Sequence, residues 1–264
     1  MRIDRRDFIK IGSKSLLGGI IVYGGLPTLL RGPQAPPVGQ EAGLDDTISR
    51  WHYWRFIVDI KKCIGCGRCV EACRLENDVP LDSGYGRTWV ERYVVTESEE
   101  VLVDSPKAGI DGFASGSALS EYKGSKVRKS FFVPKLCNHC DKPPCVPVCP
   151  VRATYVNQEG VVLVNRRACI GCRYCIQACP YGARFFDSRL RIVDKCTWCY
   201  HRITKGIAPA CVEVCPVGAR VFGDMRDGAG LVSKIINEEV IGILKPEIGC
   251  GNKVYYIGLE KGVR

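Results

Sequence analysis

Cys63, Cys66, Cys69 and Cys73 are spaced C-x2-C-x2-C-x3-C, and Cys169, Cys172, Cys175 and Cys179 repeat that spacing. Two looser quartets follow the same plan: Cys137, Cys140, Cys145 and Cys149, then Cys196, Cys199, Cys211 and Cys215. Together they absorb sixteen of the seventeen cysteines in the 264-residue chain. So many thiols mean disulfides, zinc or iron–sulfur clusters, and spacing must choose among them. Zinc sites use two separated C-x2-C knuckles, whereas here four thiols twice crowd into one short run. Neighbours within C-x2-C are badly placed to bond to each other. Three close thiolates wrap one face of an iron–sulfur cubane, and the fourth sits at the start of a helix pointing away. The quartets therefore predict four [4Fe–4S] clusters, with all sixteen cysteines as iron ligands and no catalytic residue.

The remaining chemistry is sparse. No C-x-x-C-H is present for covalent haem, and neither a Walker A sequence nor a dinucleotide glycine fingerprint occurs. His52, His139 and His201 fit no catalytic pattern. His139 and His201 abut quartet cysteines, and solvent-facing positions are expected for both rather than hydrogen bonds that tune a cluster. Cys250, far along the chain from any quartet, reads as a free structural thiol. The formal charge of +10 suggests an anionic partner if taken alone. Four clusters with their thiolates would remove about eight of those charges. The excess therefore reads as compensation for buried anionic clusters, with Lys61, Lys62, Arg68, Arg166, Arg167, Arg173 and Lys195 beside the cysteine runs. No basic stripe interleaved with aromatics points to nucleic acid, which is not an expected partner.

Short β-prone runs follow three of the quartets: Ala153-Thr154-Tyr155-Val156, Ala183-Arg184-Phe185-Phe186 and Ala219-Arg220-Val221-Phe222. Each comes two or three residues after a Cys-Pro pair. Proline ends the cluster loop without leaving an N–H to satisfy. The first quartet has Arg74 where the others have proline. Cluster loop, short helix and strand make a ferredoxin half-repeat. The fold class expected is therefore α+β, two interlocked bacterial-ferredoxin-like modules with loop-rich insertions. The inner module spans 133–189 and the outer one 55–74 with 190–225. Residues 75–132 form an insertion, with strands over 87–96 and 131–133 and a Gly/Ser/Ala-rich loop over 104–124. It reads either as a partner-docking surface or as a solvated excursion. Residues 226–264 are expected as a C-terminal extension.

The N-terminus carries a different signal. Arg5, Arg6, Phe8 and Lys10 resemble the twin-arginine export motif, and an apolar run from Leu16 to Leu30 follows. The run has signal-sequence length and is short for a membrane-spanning helix, which needs about 20 residues. Residues 1–35 thus read as a leader or, since no good small-x-small cleavage site follows, as a retained anchor. Residues 36–54 read as a linker. The motif implies a place on the outer, periplasmic-side face of the cytoplasmic membrane. Export of a folded, cofactor-loaded chain also removes the usual reading of an exported cysteine-rich protein as a disulfide scaffold.

From about residue 55 to 260 the sequence resembles the four-cluster B subunits of the dimethyl-sulfoxide and polysulfide reductase type. The resemblance rests on Cys-Asn-His-Cys-Asp-Lys-Pro-Pro-Cys (137–145), Cys-Ile-Gly-Cys-Arg-Tyr-Cys-Ile-Gln-Ala-Cys-Pro-Tyr-Gly-Ala-Arg (169–184), Lys-Cys-Thr-Trp-Cys (195–199) and Pro-Ala-Cys-Val-Glu-Val-Cys-Pro (209–216). It implies a ligand exchange between quartets. Cys63, Cys66 and Cys69 would share a cluster with Cys215, and Cys196, Cys199 and Cys211 with Cys73. Cys137, Cys140 and Cys145 would join Cys179, and Cys169, Cys172 and Cys175 would join Cys149. It further implies a hetero-oligomer, with single electrons relayed between an integral membrane quinone-interacting subunit and a haem-containing or molybdopterin subunit. A chain with its own export signal resembles the quinone-linked members, those associated with sulfite reductase, nitrite reductase or hydrogenase. Some tetrathionate reductase B subunits also fit. A free-standing exported ferredoxin and a zinc-stabilised module are the readings of other classes.

Overall fold

The computed structural model describes residues 52–113, 126–260 and 262–263. The expected leader, nearly all of the linker and residues 114–124 of the expected loop lie outside the described residues. No helix among the described residues is long and apolar enough to cross a membrane.

Strand β1 (Trp54–Asp59) leads into the first quartet, and helix α1 (Arg68–Asn77) carries that quartet's last cysteines. Next come β2 (Thr88–Thr96), β3 (Val101–Asp104) and β4 (Val127–Leu136). The second quartet is followed by β5 (Thr154–Val156) and β6 (Val162–Val164), the third by α2 (Tyr174–Gln177), β7 (Arg184–Asp187) and β8 (Ile192–Lys195). Helices α3 (Tyr200–Ile203) and α4 (Ala210–Glu213) belong to the fourth quartet. The chain ends with β9 (Arg220–Asp224), α5 (Leu231–Glu238), β10 (Ile241–Gly242) and β11 (Val254–Ile257). The architecture is α+β and ferredoxin-like, with short helices and small sheets.

The proline rule explains the helix lengths. Helices α2 and α4 last one turn and stop before Cys179-Pro180 and Cys215-Pro216, because proline and its predecessor both resist helical geometry. Arg74 stands where that proline would be, so α1 runs on to Asn77. The buried Arg74 guanidinium then donates to the carbonyls of Leu81 and Lys107, tying the start of the 75–132 segment to the first quartet.

The main sheet has the order β10-β11-β1-β9. Strand β1 pairs antiparallel with β9, Phe56 opposite Phe222 and Val58 opposite Arg220. This joins the strand before Cys63 to the strand after Cys215. On its other edge β1 pairs parallel with β11, Phe56 aligned with Val254. Residues 226–264 are therefore no appendage, since they supply an interior strand. Val254-Tyr255-Tyr256-Ile257 is β-branched and aromatic, a signal the sequence reading passed over. A second sheet, β3-β2-β4, arises from the 75–132 insertion and the residues after it. Hairpins β5–β6 and β7–β8 complete the set, and the latter straddles the boundary drawn at 189/190. Phe56, Val58, Val70, Val90, Val133, Leu136, Trp198, Val254 and Tyr256 share one buried cluster with cysteines of three quartets.

Candidate metal centres

Each Cys-Pro corner aims a backbone N–H at its own cysteine. Gly182, Gly218 and, in the second quartet, Arg152 sit in the left-handed region three residues after the cysteine. That turn points the next N–H back at sulfur: Ala153 donates to Cys149 Sγ at 3.1 Å and Ala219 to Cys215 Sγ at 3.2 Å. Glycine takes this backbone shape without steric cost. Further donors converge on other thiols, one from within a cluster loop and two from outside. Trp198 N–H reaches Cys196 Sγ at 3.3 Å, Val193 N–H reaches Cys169 Sγ at 3.4 Å, and Arg184 Nη2 reaches Cys145 Sγ at 3.0 Å.

The structure mixes the quartets. Cys215 lines one pocket with Cys63, Cys66 and Cys69, below the Arg220 side chain. Cys73 faces Cys196, Cys199 and Cys211, and the α1 continuation lets Asn77 Nδ2 approach Cys73 and Cys199 at 3.6 and 3.8 Å. Cys179 faces Cys137 and Cys145, and Cys140 faces the same two. Cys175 lies against Cys169. Cys172 is exposed, and Cys149 is fixed by the Ala153 N–H.

These sets adjoin in a line. Arg220 faces Cys63 and Cys69 on one side and Cys73 and Cys211 on the other. Cys196 faces Cys137. Cys175 faces Cys145, and Arg184 is shared between them. The order is thus first, fourth, second, third quartet. Cys66 and Cys172, one in each outer set, are the only exposed cysteines among the described residues.

Burial pushes Cys63 and Cys211 up to about 11 and Cys196 up to about 12. Such thiols hold their protons in water-poor surroundings, so iron must displace protons to bind. Buried cations offset the charge that results. Burial opposes the Arg220 and Arg184 charges, but facing cysteines outweigh it and hold both guanidinium groups above their ordinary range. Burial lowers Lys195, whose Nζ donates to the Val162 and Cys196 carbonyls. Arg220 and Arg184 lay in a strand motif in the sequence, without a role assigned.

The donor set fits a large, sulfur-rich anion. Among the described residues no three His, Cys, Asp or Glu side chains converge tightly enough to chelate a single ion. A [4Fe–4S] cluster would take one thiolate on each of its four irons and so would need its thiols spread wider. Arg220 Nη1 is buried without a hydrogen-bond partner, as are Trp198 Nε1 and His139 Nε2. Buried donors of this kind demand an acceptor.

One expectation is overturned. His139 does not face solvent: it is fully buried, its Nδ1 accepts the Val162 N–H at 3.1 Å, and it stacks on Trp198. The Asn138-His139 loop is drawn inward because β6 and the fourth quartet close over it. Cys250 is the free, buried thiol expected, and the fold brings its Sγ to 3.4 Å from Cys140 Sγ. Backbone bonds from Asp141 N–H to the Gly251 carbonyl and from Lys142 N–H to the Cys250 carbonyl stitch the two loops together. His201 is exposed and bonds Glu76 at 2.6 Å. The described part of the 104–124 loop is packed, with Ile110 and Gly109 against Gly67 of the first quartet.

Two family models, each described as a 4Fe-4S dicluster domain, match residues 62–153 and 128–225. The chain is 39% identical to the tetrathionate reductase B subunit of Salmonella typhimurium, over 79% of this chain and 74% of that protein. It is 44% identical to the tetrathionate reductase B subunit of Archaeoglobus fulgidus, over 77% and 81%. The Hdr-like menaquinol oxidoreductase iron-sulfur subunit 1 of Archaeoglobus fulgidus is 31% identical over 97% of this chain and 98% of that protein.

Proposed function

The chain belongs to the family of reductase iron–sulfur B subunits that contain 4Fe-4S dicluster domains, and from that membership we propose that it is the electron wire of a membrane-associated redox complex. It transfers electrons and holds multiple [4Fe–4S] clusters. The finer reading is that there are four, ligated by the sixteen quartet cysteines with their fourth members exchanged. When bound, such clusters supply one-electron carriers whose potentials the protein sets through burial and hydrogen bonds to sulfur. The observation that carries this reading is the line of adjoining thiol sets with exposed cysteines only at its two ends. Inner sets shielded from water pass electrons between two surfaces, each able to meet a partner. Arg220 and Arg184 hold positive charge along the line and offset negative charge as it arrives.

The partners proposed are a catalytic subunit at one end and a quinone-interacting membrane subunit at the other. Arg5, Arg6, Phe8 and Lys10 support export to the outer face of the cytoplasmic membrane, with residues 1–35 as leader or anchor. The end-to-end similarity to a menaquinol oxidoreductase subunit takes in most of that N-terminal segment and favours a quinone-linked complex, for which we propose a haem-containing partner. The higher identity to tetrathionate reductase B subunits favours a second reading, a molybdopterin-containing catalytic partner. The test is a metal and haem census of the complex that copurifies with this chain from membranes under anaerobic conditions. Haem without molybdenum or tungsten is expected for the first reading. Molybdenum or tungsten would replace it with the second, and a soluble monomer lacking any partner would refute both.

A further inference from the structure

His139 and Trp198 occupy the same place in two different cluster loops, the third position of Cys137-Asn138-His139-Cys140 and of Cys196-Thr197-Trp198-Cys199. Both have a positive φ, 43° and 54°, unusual for side chains of this size. Such backbone persists only where the surroundings impose it. Here it turns the two rings together. Their centroids are 4.0 Å apart at an interplanar angle of 27°, and both side chains are 1% exposed or less. The stack sits where the second and fourth quartets meet, beside the facing pair Cys137 and Cys196.

Each ring carries a buried nitrogen with no hydrogen-bond partner. The His139 Nδ1 accepts the Val162 N–H, so the neutral ring holds its proton on Nε2 and presents it as a donor. The Cys196 carbonyl faces the ring as a weak acceptor, and Nε2 has no hydrogen bond of ordinary geometry. Trp198 Nε1–H can only donate, and a buried indole N–H ordinarily finds an acceptor. Two adjacent donors without a well-formed hydrogen bond to protein leave a sulfur anion as the natural partner.

We propose that the stacked His139–Trp198 pair is a positioning element of the wire: it packs the second- and fourth-quartet centres against each other and donates an N–H from each ring to cluster sulfur. This rests on the four-cluster reading above. A hydrogen bond to sulfur stabilises the more negative, reduced form and raises the potential. Trp198→Phe keeps a stacking ring and removes one donor. The expected result, read by redox-monitored electron paramagnetic resonance on the assembled complex, is a shift of about tenfold in the reduction equilibrium of one or both inner centres. That equals about 59 mV for a one-electron couple. The two outer centres stay where they were. His139→Phe should add a shift at an inner centre. Unshifted potentials with iron and sulfide intact, or equal shifts at all four centres, would overturn the proposal. Iron and sulfide absent from the unmodified protein would instead overturn the cluster reading beneath it. A measurement without substitution stands beside these. With 15N-labelled tryptophan, the reduced inner centres should show a nitrogen coupling, and its absence would overturn the donor role of Trp198.

Discussion

Arg184 is the residue whose replacement tests the wire most directly. Its Nη2 lies 3.0 Å from Cys145 Sγ, its Nη1 donates to Thr154 Oγ1 at 3.2 Å, and it also faces Cys137 and Cys175. The guanidinium therefore serves the second- and third-quartet centres together. Arg184→Met keeps length and apolar bulk but removes the charge. An electron arriving at a neighbouring cluster interacts with that charge by about 2–3 kcal/mol at a separation of about 6 Å and an effective dielectric constant of about 20. This corresponds to roughly 100 mV for a one-electron couple. The sign is set by charge: a cation favours the more negative reduced form, so its loss lowers the potential. Redox-monitored electron paramagnetic resonance of the Arg184→Met complex should show two of four centres falling by about this amount. Arg184→Lys, which keeps the charge but not the fork-shaped pair of donors, should move them less. Equal shifts in Met and Lys variants would refute the electrostatic argument, and shifts at the first- and fourth-quartet centres would refute the geometry.

Other substitutions probe the support beneath the centres. Arg87 and Asp194 form a buried ion pair at 2.9 Å that joins the residue before β2 to β8, and Arg87 also donates to Asn77 and Thr197. Asp194→Asn strands the Arg87 charge and should cost about 3–5 kcal/mol, read as a lowered midpoint in denaturant with bleaching of cluster absorbance as the probe. Gly67→Ala demands a Cβ 2.3 Å from the Ile110 carbonyl oxygen on a backbone with φ of +75°. It should empty the first-quartet centre, seen as loss of about a quarter of the bound iron, given four equal clusters. Cys250→Ser should leave iron content unchanged, whereas Cys140→Ser should lower it. Equal iron loss from the two would make Cys250 a ligand.

The cofactor was legible in the sequence because cluster ligation is a short-range property. A C-x2-C-x2-C loop can wrap a cubane using residues within one turn of chain, so residue type and spacing suffice. The strands after the Cys-Pro corners were legible for the same reason, and they appear as β5, β7 and β9. Arg74 could also be read locally, as the missing proline, and its outcome is an α1 that runs past Cys73.

Burial and long-range neighbours were not legible. His139 and Cys250 were assigned from their local surroundings, one beside a quartet and one far from any. Their positions depend on β6, the segment just before β11 and the fourth quartet closing over the Cys137–Cys140 loop. Spacing alone determined that this protein holds iron–sulfur clusters. The antiparallel pairing of β1 with β9, across more than half the chain, decided which quartets meet. The interior place of β11 decided that the C-terminal segment closes the core. Pairing of this kind is settled by which apolar faces can be buried together, and no short window of sequence contains that choice.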